Sequence, residues 1–292
     1  MNTFKFVVLT LCCWVTACGV TVQGIDLGRV AGVGSKVMNV GEKTQEEEVV
    51  MGERTAKTLF SIAPLAHDDK IQSYVNRVGY WLARHSTRPG LPWHFVVLDS
   101  ATVNAFAAPG GYVFITTGMM ENIYNEAELA GVLAHEMAHV TEKHYLHALQ
   151  SQSNKGLISD LLVLGQQAKK NQDDERSSSR SSKITGQYDR VVLDVYQRGL
   201  DRKDELFADS LGAEIAARAG YDHYGFASVL QNITGSQSDV RVMAGFLKRH
   251  PPLEERLIAL EKTSQTLDDM GGDSKVLVAR YSLNTRTSPG HL

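Results

Sequence analysis

The stretch that decides the fold is residues 133–140, which read Leu133-Ala134-His135-Glu136-Met137-Ala138-His139-Val140 and contain the pattern H-E-x-x-H. On a helix, two histidines four residues apart project from the same face, one turn above the other. Both imidazoles can therefore bind one metal ion, at about 2.0–2.1 Å each. Glu136 stands beside this face and can hold a water molecule on the ion without being a ligand itself. The pattern predicts a metal centre with a carboxylate base next to it.

Two packed or surface histidines on an ordinary helix are the alternative, because so short a pattern also arises by chance. The neighbouring residues favour the metal centre. They make the helix apolar nearly all round, which is typical of a buried core helix: Ala130, Gly131, Leu133, Ala134, Met137, Ala138 and Val140. Buried histidines and a buried glutamate need polar partners, and a metal ion supplies them.

The composition bounds the class of protein. The 292 residues are 43% hydrophobic, which is enough for the core of one large domain or two small ones. The formal net charge of −3 indicates no basic surface, so no nucleic-acid partner is expected.

Residues 1–17 are predicted to be the signal peptide of a lipoprotein. Phe6–Trp14 is largely apolar but too short to span a bilayer, which is typical of a secretory signal. Val15-Thr16-Ala17-Cys18 then resembles a bacterial lipobox, in which Cys18 is lipidated and becomes the first residue of the mature chain. A plain signal peptide, or a core segment with a chance cysteine, is the alternative. Residues 18–45 are expected to be a linker.

The cysteines and the hydropathy also predict where the mature chain resides. All three cysteines, Cys12, Cys13 and Cys18, lie in the leader, so no thiol is left for a disulfide after cleavage. No later stretch reaches about eighteen apolar residues, so the body is expected to be held at a membrane by the lipid alone. In a Gram-negative host the lipobox implies a periplasmic protein anchored to the outer membrane.

Residues 46–267 are predicted to form one mainly helical α+β domain. Apolar residues at helical spacing predict helices before and after the metal helix: Gln45–Phe60, Lys70–His85, Leu157–Gln167, Asp204–Ala219, Tyr224–Thr234 and Leu253–Leu267. The acidic run 46–48 at the first helix start is expected to be a solvated face. β-rich segments predict a small antiparallel sheet beside the metal helix: His94–Leu98, Val103–Ala107 and Tyr112–Thr116, with a turn at Pro109-Gly110-Gly111.

Two later segments are expected to lie outside this regular structure. Residues 171–184 include the polar, serine-rich run Asp173–Lys183 and are predicted to be a flexible loop. Residues 268–292 are predicted to hold one last strand, Lys275–Leu283, followed by a frayed tail.

A third metal ligand has to come from elsewhere in the chain, because catalytic zinc takes three protein ligands and keeps one position open. A metzincin continuation would need Gly at position 142 and His at position 145, where this chain has Glu142 and Tyr145. On one continuous helix, His144 and His147 would lie about 180° and 120° away from His135, so both are expected to face solvent.

A second helix offers carboxylates instead. Glu205 and Asp209 stand four residues apart and point the same way, so Glu205 could complete the ligands while Asp209 accepts the free ring N–H of a ligating histidine. An exposed acidic face is the alternative, although the flanking residues are largely apolar.

Several motifs together resemble peptidase family M48, a gluzincin group of zinc metallopeptidases. They are Val103–Ala107 with Pro109-Gly110-Gly111, then His135–His139, Arg202-x-x-Glu205-x-x-x-Asp209, and His250-Pro251, in the family's order from about residue 46 to residue 262. The resemblance implies a zincin-type fold and one Zn²⁺ ion held by His135, His139 and Glu205. It also implies that Glu136 is the general base.

The weaker motif positions carry open alternatives. The resemblance puts His250 near the metal, either as an oxyanion stabiliser or as a fourth ligand that holds the enzyme idle; a helix-capping role is the alternative. Arg202 and Arg256 match family positions and could hold the carboxylates or the substrate backbone, or could form ordinary salt bridges. Val103–Ala107 is expected to be an edge strand to which a peptide adds through Asn104, Ala105 and Phe106, unless it is an internal strand.

The resemblance implies a zinc-dependent metalloendopeptidase that degrades misfolded or damaged envelope proteins in periplasmic quality control. Its partners would be unfolded proteins, the membrane through the lipid on Cys18, and outer-membrane assembly machinery. A periplasmic chaperone or scaffold lipoprotein with latent proteolysis is the alternative from another class. Other divalent ions also accept two imidazoles and a carboxylate.

Overall fold

The protein is described by a computed structural model that covers residues 21–22, 25–26, 43–153, 155–169, 175–235, 250–270 and 274–285. The predicted signal peptide, Cys18 and the tail after residue 285 lie outside the described residues. The chain divides into two compact units, Met1–Lys43 and Thr44–Leu292. In the first unit, strands β1 (Thr21–Val22) and β2 (Ile25–Asp26) pair antiparallel.

The second unit is mainly helical with a small sheet, so the predicted α+β class is confirmed. Its helices are α1 (Gln45–Phe60), α2 (Asp69–Ala83), α3 (Thr117–Met120), α4 (Glu126–Thr141), α5 (His144–Gln152), α6 (Lys155–Lys169), α7 (Glu175–Arg198), α8 (Arg202–Arg218), α9 (Gly225–Gly235), α10 (Leu253–Met270) and α11 (Val278–Thr285). Its strands are β3 (His94–Leu98), β4 (Ala105–Ala108) and β5 (Tyr112–Thr116). None of the helices among the described residues has the length and apolar character needed to cross a bilayer.

The sheet is mixed, so the prediction of an all-antiparallel sheet is wrong. The strand order is β3-β5-β4, with β4 antiparallel and β3 parallel to β5. The tight turn Pro109–Gly111 makes β4 and β5 a hairpin, because Gly110 and Gly111 adopt φ of 77° and 102°. β3 pairs with the other side of β5 and runs parallel to it. β4 therefore lies at an edge of the sheet.

Helix α4 carries the H-E-x-x-H pattern through the core. Its first turn is capped by the Asn125 side chain, which accepts a hydrogen bond from the Glu128 backbone N–H at 2.9 Å. Every residue of α4 is buried, and the helix packs against α8, α9, α2 and β4. The two histidines are therefore held in a buried, close-packed interior, as the apolar surroundings predicted.

The acidic start of α1 is not a solvated face throughout, because Glu48 is fully buried. Its carboxylate pairs with the Arg88 guanidinium at 2.8 Å and accepts the Gly110 backbone N–H at 3.1 Å. Arg88 also donates to the Val140 carbonyl near the end of α4. Glu48 therefore ties α1 and the hairpin turn to the metal helix, a tertiary contact that helical spacing could not predict.

The serine-rich segment is helical from Glu175 onward, so the prediction of a loop over residues 171–184 is wrong for that part; residues 171–174 lie outside the described residues. The reason is downstream. Helix α7 continues through an apolar stripe that packs into the core: Ile184, Tyr188, Val192, Val195 and Tyr196. That stripe stabilises the helix, and local composition does not reveal it.

The predicted strand Lys275–Leu283 is also wrong. Lys275 forms only an isolated bridge with Tyr221, and the chain then forms α11. Tyr281 of α11 is buried and donates its hydroxyl to the Met120 carbonyl at 2.9 Å. The segment is therefore helical and not a strand, because the buried side chain of Tyr281 anchors it, while Val278 and Leu283 stay exposed.

Candidate metal centre

The two histidines of α4 lie as their spacing predicts. His135 Nε2 and His139 Nε2 are 3.2 Å apart, and both rings are buried. Nitrogens at that separation can each lie about 2.0–2.1 Å from one zinc ion. The pair is therefore arranged to share a single ion.

Glu205 of α8 joins this pair. Its Oε2 lies 3.7 Å from His135 Nε2, and its Oε1 lies 3.7 Å from His139 Nε2. Helix α8 comes this close because of Gly212: a Cβ atom there would lie 2.9 Å from His135 Cα. Two imidazoles and a buried carboxylate are a donor set that fits zinc, with room for a fourth ligand.

His250 lies at the same centre, as predicted. Its Nδ1 is 2.5 Å from Glu205 Oε2, and His135, Glu205 and His250 each offer a ligand atom within 4.8 Å of the others. Burial lowers the pKa of His250, which favours the neutral ring. Its side chain therefore lies against Glu205 and close to His135.

Asp209 lies beside His135, where its spacing from Glu205 predicts it. Asp209 Oδ1 lies 3.0 Å from His135 Nδ1, the nitrogen that faces away from the other ligands. Arg256 donates two hydrogen bonds to Asp209, at 2.9 and 2.7 Å. Burial raises the pKa of Asp209, but Arg256 outweighs burial and lowers this pKa to about 2. Asp209 is therefore ionised and fixes the His135 ring.

Arg202 does not take the predicted position behind the ligands. Its side chain is 66% exposed and pairs with Glu255 at the surface. The family resemblance predicted that Arg202 and Arg256 could both hold the carboxylates. Arg202, however, belongs to the first, solvent-facing turn of α8. Arg256 alone of this pair reaches the centre.

Glu136 has the environment that a general base requires. It is 2% exposed, and its Oε2 has no hydrogen-bond partner among the described residues. Burial raises the pKa of Glu136 to about 7, so the carboxylate can both take and release a proton near neutral pH. An unsatisfied buried carboxylate oxygen next to three ligands is placed to receive a water molecule.

His144 was expected to face solvent, and this prediction is wrong. Helix α4 ends at Thr141, Lys143 adopts a left-handed φ of 60°, and α5 begins at His144. The break returns the His144 ring to the metal helix, with its Nδ1 3.0 Å from His139 Nδ1. His147, one turn along α5, is exposed as predicted. No glycine or proline marks the break, so the sequence carried no signal for it.

Strand β4 lies at an edge of the sheet, and its residues Ala105, Ala107 and Ala108 are buried against neighbouring helices. The Asn104 carbonyl accepts a hydrogen bond from Thr116 of β5, so in this alternating register Phe106 also faces β5. Ala105 and Ala107 therefore direct their backbone groups away from β5. Of the three predicted substrate-binding residues, only Ala105 directs its main-chain groups away from the sheet, and it is 3% exposed.

Tyr196 of α7 is a further residue that sequence reasoning missed. Its hydroxyl donates to the outward-facing Ala107 carbonyl at 2.5 Å. Its ring stacks on Tyr145 at 4.6 Å between centroids, and Tyr145 meets the His139 ring edge-on at 5.7 Å. The rings of Tyr196, Tyr145 and His139 thus form a continuous series of aromatic contacts from β4 to the candidate metal centre. No sequence motif predicted this series.

Comparisons with known proteins show which family this chain resembles. A family model described as "Peptidase family M48" matches residues 69–264. The chain is 27% identical over 213 residues to the "Beta-barrel assembly-enhancing protease" of Yersinia pestis, covering 73% of this chain and 43% of that protein. It is 26% identical over 235 residues to the protein of the same name in Escherichia coli K12, covering 80% of this chain and 45% of that protein.

A more distant relative is the "Mitochondrial metalloendopeptidase OMA1" of Schizosaccharomyces pombe, 26% identical over 193 residues, 65% of this chain and 52% of that protein. The chain spans less than half the length of the two bacterial relatives. The family match covers more than half of the chain and includes His135, His139 and Glu205. The chain therefore belongs to peptidase family M48, a family of metallopeptidases.

Proposed function

We propose that this protein is a zinc-dependent metalloendopeptidase. The observation that supports this most directly is the convergence of His135, His139 and Glu205 around one point, with the unpartnered Glu136 carboxylate beside them. These three side chains would hold the ion. A structural zinc site would need neither an open position nor a buried base.

Different residues of the chain have different roles in the proposed reaction. Zinc, when bound, acts as a Lewis acid that lowers the pKa of a water molecule to about 7 and polarises a carbonyl. Glu136 removes the proton from that water and later delivers it to the leaving amine. Asp209 keeps the His135 ring in the tautomer that leaves Nε2 free to bind the ion.

His250 can act in two ways. Its position against Glu205 allows it to serve as a fourth ligand that keeps water away from the ion. Released from that position, it can donate a hydrogen bond to the oxygen on which negative charge develops. Both roles fit a buried neutral histidine at the edge of the donor set.

The side of β4 that pairs with no strand among the described residues favours substrates recognised by their backbone. An extended peptide can pair with Ala105 and Ala107 by main-chain hydrogen bonds, which do not depend on its side chains. Such recognition suits misfolded or damaged proteins of mixed sequence. Two relatives are named beta-barrel assembly-enhancing proteases, which supports envelope proteins as substrates and outer-membrane assembly machinery as a partner.

The leader supports a periplasmic location, with a lipid on Cys18 anchoring the chain to the outer membrane. Metabolic labelling with an alkyne fatty acid tests the anchor. A mature chain that carries no label would contradict it.

The decisive experiment compares the wild-type chain with Glu136→Gln in a casein digestion, with and without a chelator. We expect the variant to retain one zinc ion per chain, because the ligands are unchanged. Proteolysis should fall by about 10²–10⁴-fold, the usual contribution of a general base.

Glu121→Gln is the matched control, since this glutamate is exposed near the start of α4. It should leave activity unchanged. Undiminished cleavage by Glu136→Gln would refute the mechanism. A wild-type chain that suppresses casein aggregation but never cleaves it would favour the chaperone or scaffold alternative.

A further inference from the structure

We propose that His144 is a positioning residue for the metal ligand His139, and that Asp204 in turn orients His144. This inference rests on the proposed zinc site. In this proposal the His144 imidazole supports His139, the second histidine ligand, and the Asp204 carboxylate lies behind His144.

The geometry defines which ring nitrogens are involved. His139 Nε2 faces His135 Nε2 at 3.2 Å and Glu205 Oε1 at 3.7 Å, so Nε2 is the nitrogen directed at the ion. His139 Nδ1 faces the other way and lies 3.0 Å from His144 Nδ1. His144 Nε2 is directed towards Asp204 Oδ1, 4.0 Å away.

The tautomers of both rings follow from this arrangement. His139 Nε2 must keep its lone pair for the ion, so the ring hydrogen of His139 is on Nδ1 and is donated to His144. His144 Nδ1 then acts as the acceptor, which puts the hydrogen of His144 on Nε2. That N–H lies 4.0 Å from the Asp204 carboxylate, too far for a hydrogen bond, so Asp204 acts on it through its negative charge. The ligand His139 therefore donates to His144, and the charge of Asp204 favours the hydrogen on His144 Nε2.

The two histidine ligands are therefore supported differently. His135 meets the Asp209 carboxylate directly at 3.0 Å, whereas His139 meets a neutral ring. Metal-bound histidines usually donate their second N–H to a carboxylate, a carbonyl or a water, and losing that acceptor weakens metal binding. His144 supplies the acceptor that His139 lacks on its own helix.

The local backbone holds His144 in this position. The left-handed Lys143 separates α4 from α5, so His144 is the first residue of α5 and points back at α4. Its side chain is 10% exposed, and its ring meets the Phe207 ring of α8 edge-on at 6.3 Å. The ring is therefore packed between the two helices that carry the ligands.

The experiment measures the zinc dissociation constant by competition with a chromogenic chelator, using the full mature chain. We expect His144→Ala to weaken zinc binding by about 10–100-fold, the usual cost of losing such an acceptor. His144→Asn should restore most of the affinity, because its amide oxygen replaces the Nδ1 acceptor. His147→Ala, one turn along α5 and exposed, is the matched control and should bind zinc like the wild type.

A second pair of measurements separates positioning from folding. The metal-free melting temperature of His144→Asn should match that of the metal-free wild type. In the zinc-loaded wild type, the His139 Nδ1–H proton should give a sharp, slowly exchanging NMR signal that His144→Ala lacks. Asp204→Asn should weaken zinc binding on its own, and should cause no further loss in the His144→Ala background.

The inference is overturned if His144→Ala binds zinc as tightly as the wild type, or if His144→Asn is no better than His144→Ala. It is also overturned if Asp204→Asn adds its full effect to His144→Ala. A wild-type chain that binds no zinc would instead refute the proposed function itself, so the two failures are distinguishable.

Discussion

Arg256 is a fully buried arginine, 1% exposed, whose charge is neutralised inside the protein. It meets Asp209 through two hydrogen bonds, and its guanidinium lies 5.2 Å from the centre of the Phe226 ring. Phe226 also stacks on His135 at 4.6 Å. Arg256 therefore keeps Asp209 ionised and, with Phe226, encloses the ring of His135, a proposed metal ligand.

At the residue scale, Arg256→Met should lower the free energy of unfolding by about 3–5 kcal/mol, because it leaves the Asp209 charge buried and unpaired. Arg202 also matches a family position but lies at the surface. Arg202→Met should therefore lower the free energy of unfolding by only about 0–1 kcal/mol. Urea titration of both variants gives the comparison. Equal destabilisation by the two would mean that burial of Arg256 does not govern its contribution.

At the element scale, α7 and the edge strand β4 are joined by one hydrogen bond. The Tyr196 hydroxyl uses the Ala107 carbonyl, an acceptor that a pairing peptide would otherwise take. The neighbouring Tyr188 on α7 instead bonds the Thr55 hydroxyl at 3.0 Å, away from β4. Helix α7 would therefore compete with a peptide that pairs with this edge of β4.

Tyr196→Phe should lower KM for an extended peptide by about 2–10-fold, the equivalent of one net hydrogen bond of about 0.5–1.5 kcal/mol. Tyr188→Phe removes a buried hydroxyl from the same helix without changing the β4 edge, so its KM should stay at the wild-type value. A fluorogenic peptide assay measures both. A KM that rises or stays constant in Tyr196→Phe would show that Ala107 does not pair with substrate.

At the scale of the whole molecule, Glu126 connects distant parts of the chain to the first turn of α4. Its buried carboxylate accepts the hydroxyls of Tyr74 at 2.7 Å and Tyr221 at 2.8 Å, and pairs with Arg280 of α11. Burial raises the pKa of Glu126, but the bonds from Arg280 and the two tyrosines outweigh burial and lower it overall. Glu126 therefore stabilises the fold in its ionised form.

Because the folded pKa of Glu126 is lowered, its contribution is present above the unfolded value and is lost as the pH falls through the folded value. Glu126→Gln should reduce the free energy of unfolding at pH 7 by about 2–3 kcal/mol, as expected for hydrogen bonds to a charged group. The difference from the wild type should shrink below about pH 4. Denaturant titrations at several pH values measure this difference in the free energy of unfolding, with Glu214→Gln, at an exposed position, as the control. A difference between Glu126→Gln and the wild type that grows as the pH falls would contradict the assignment.

Local sequence patterns were sufficient to predict much of the candidate site. The four-residue spacings of His135 with His139 and of Glu205 with Asp209 depend only on helix geometry, which the surrounding apolar residues support. Burial of α4 also followed from its composition. The sequence could not predict which side chains would return from a new helix, because the left-handed residue at Lys143 has no characteristic neighbour. For that reason His144 was assigned to solvent although it contacts a ligand.

The sequence by itself determined the helical class and the family, and it predicted the pairs that form the candidate metal centre. Each depends on the spacing of a few residues within one element or on their order along the chain. Tertiary structure alone decided the mixed pairing of the sheet, the helical state of the serine-rich segment, the burial of Glu48 and the contact of Tyr196 with β4. These features depend on partners distant in sequence. Their stability comes from packing and from the hydrogen-bond needs of buried polar groups, neither of which has a period along the chain.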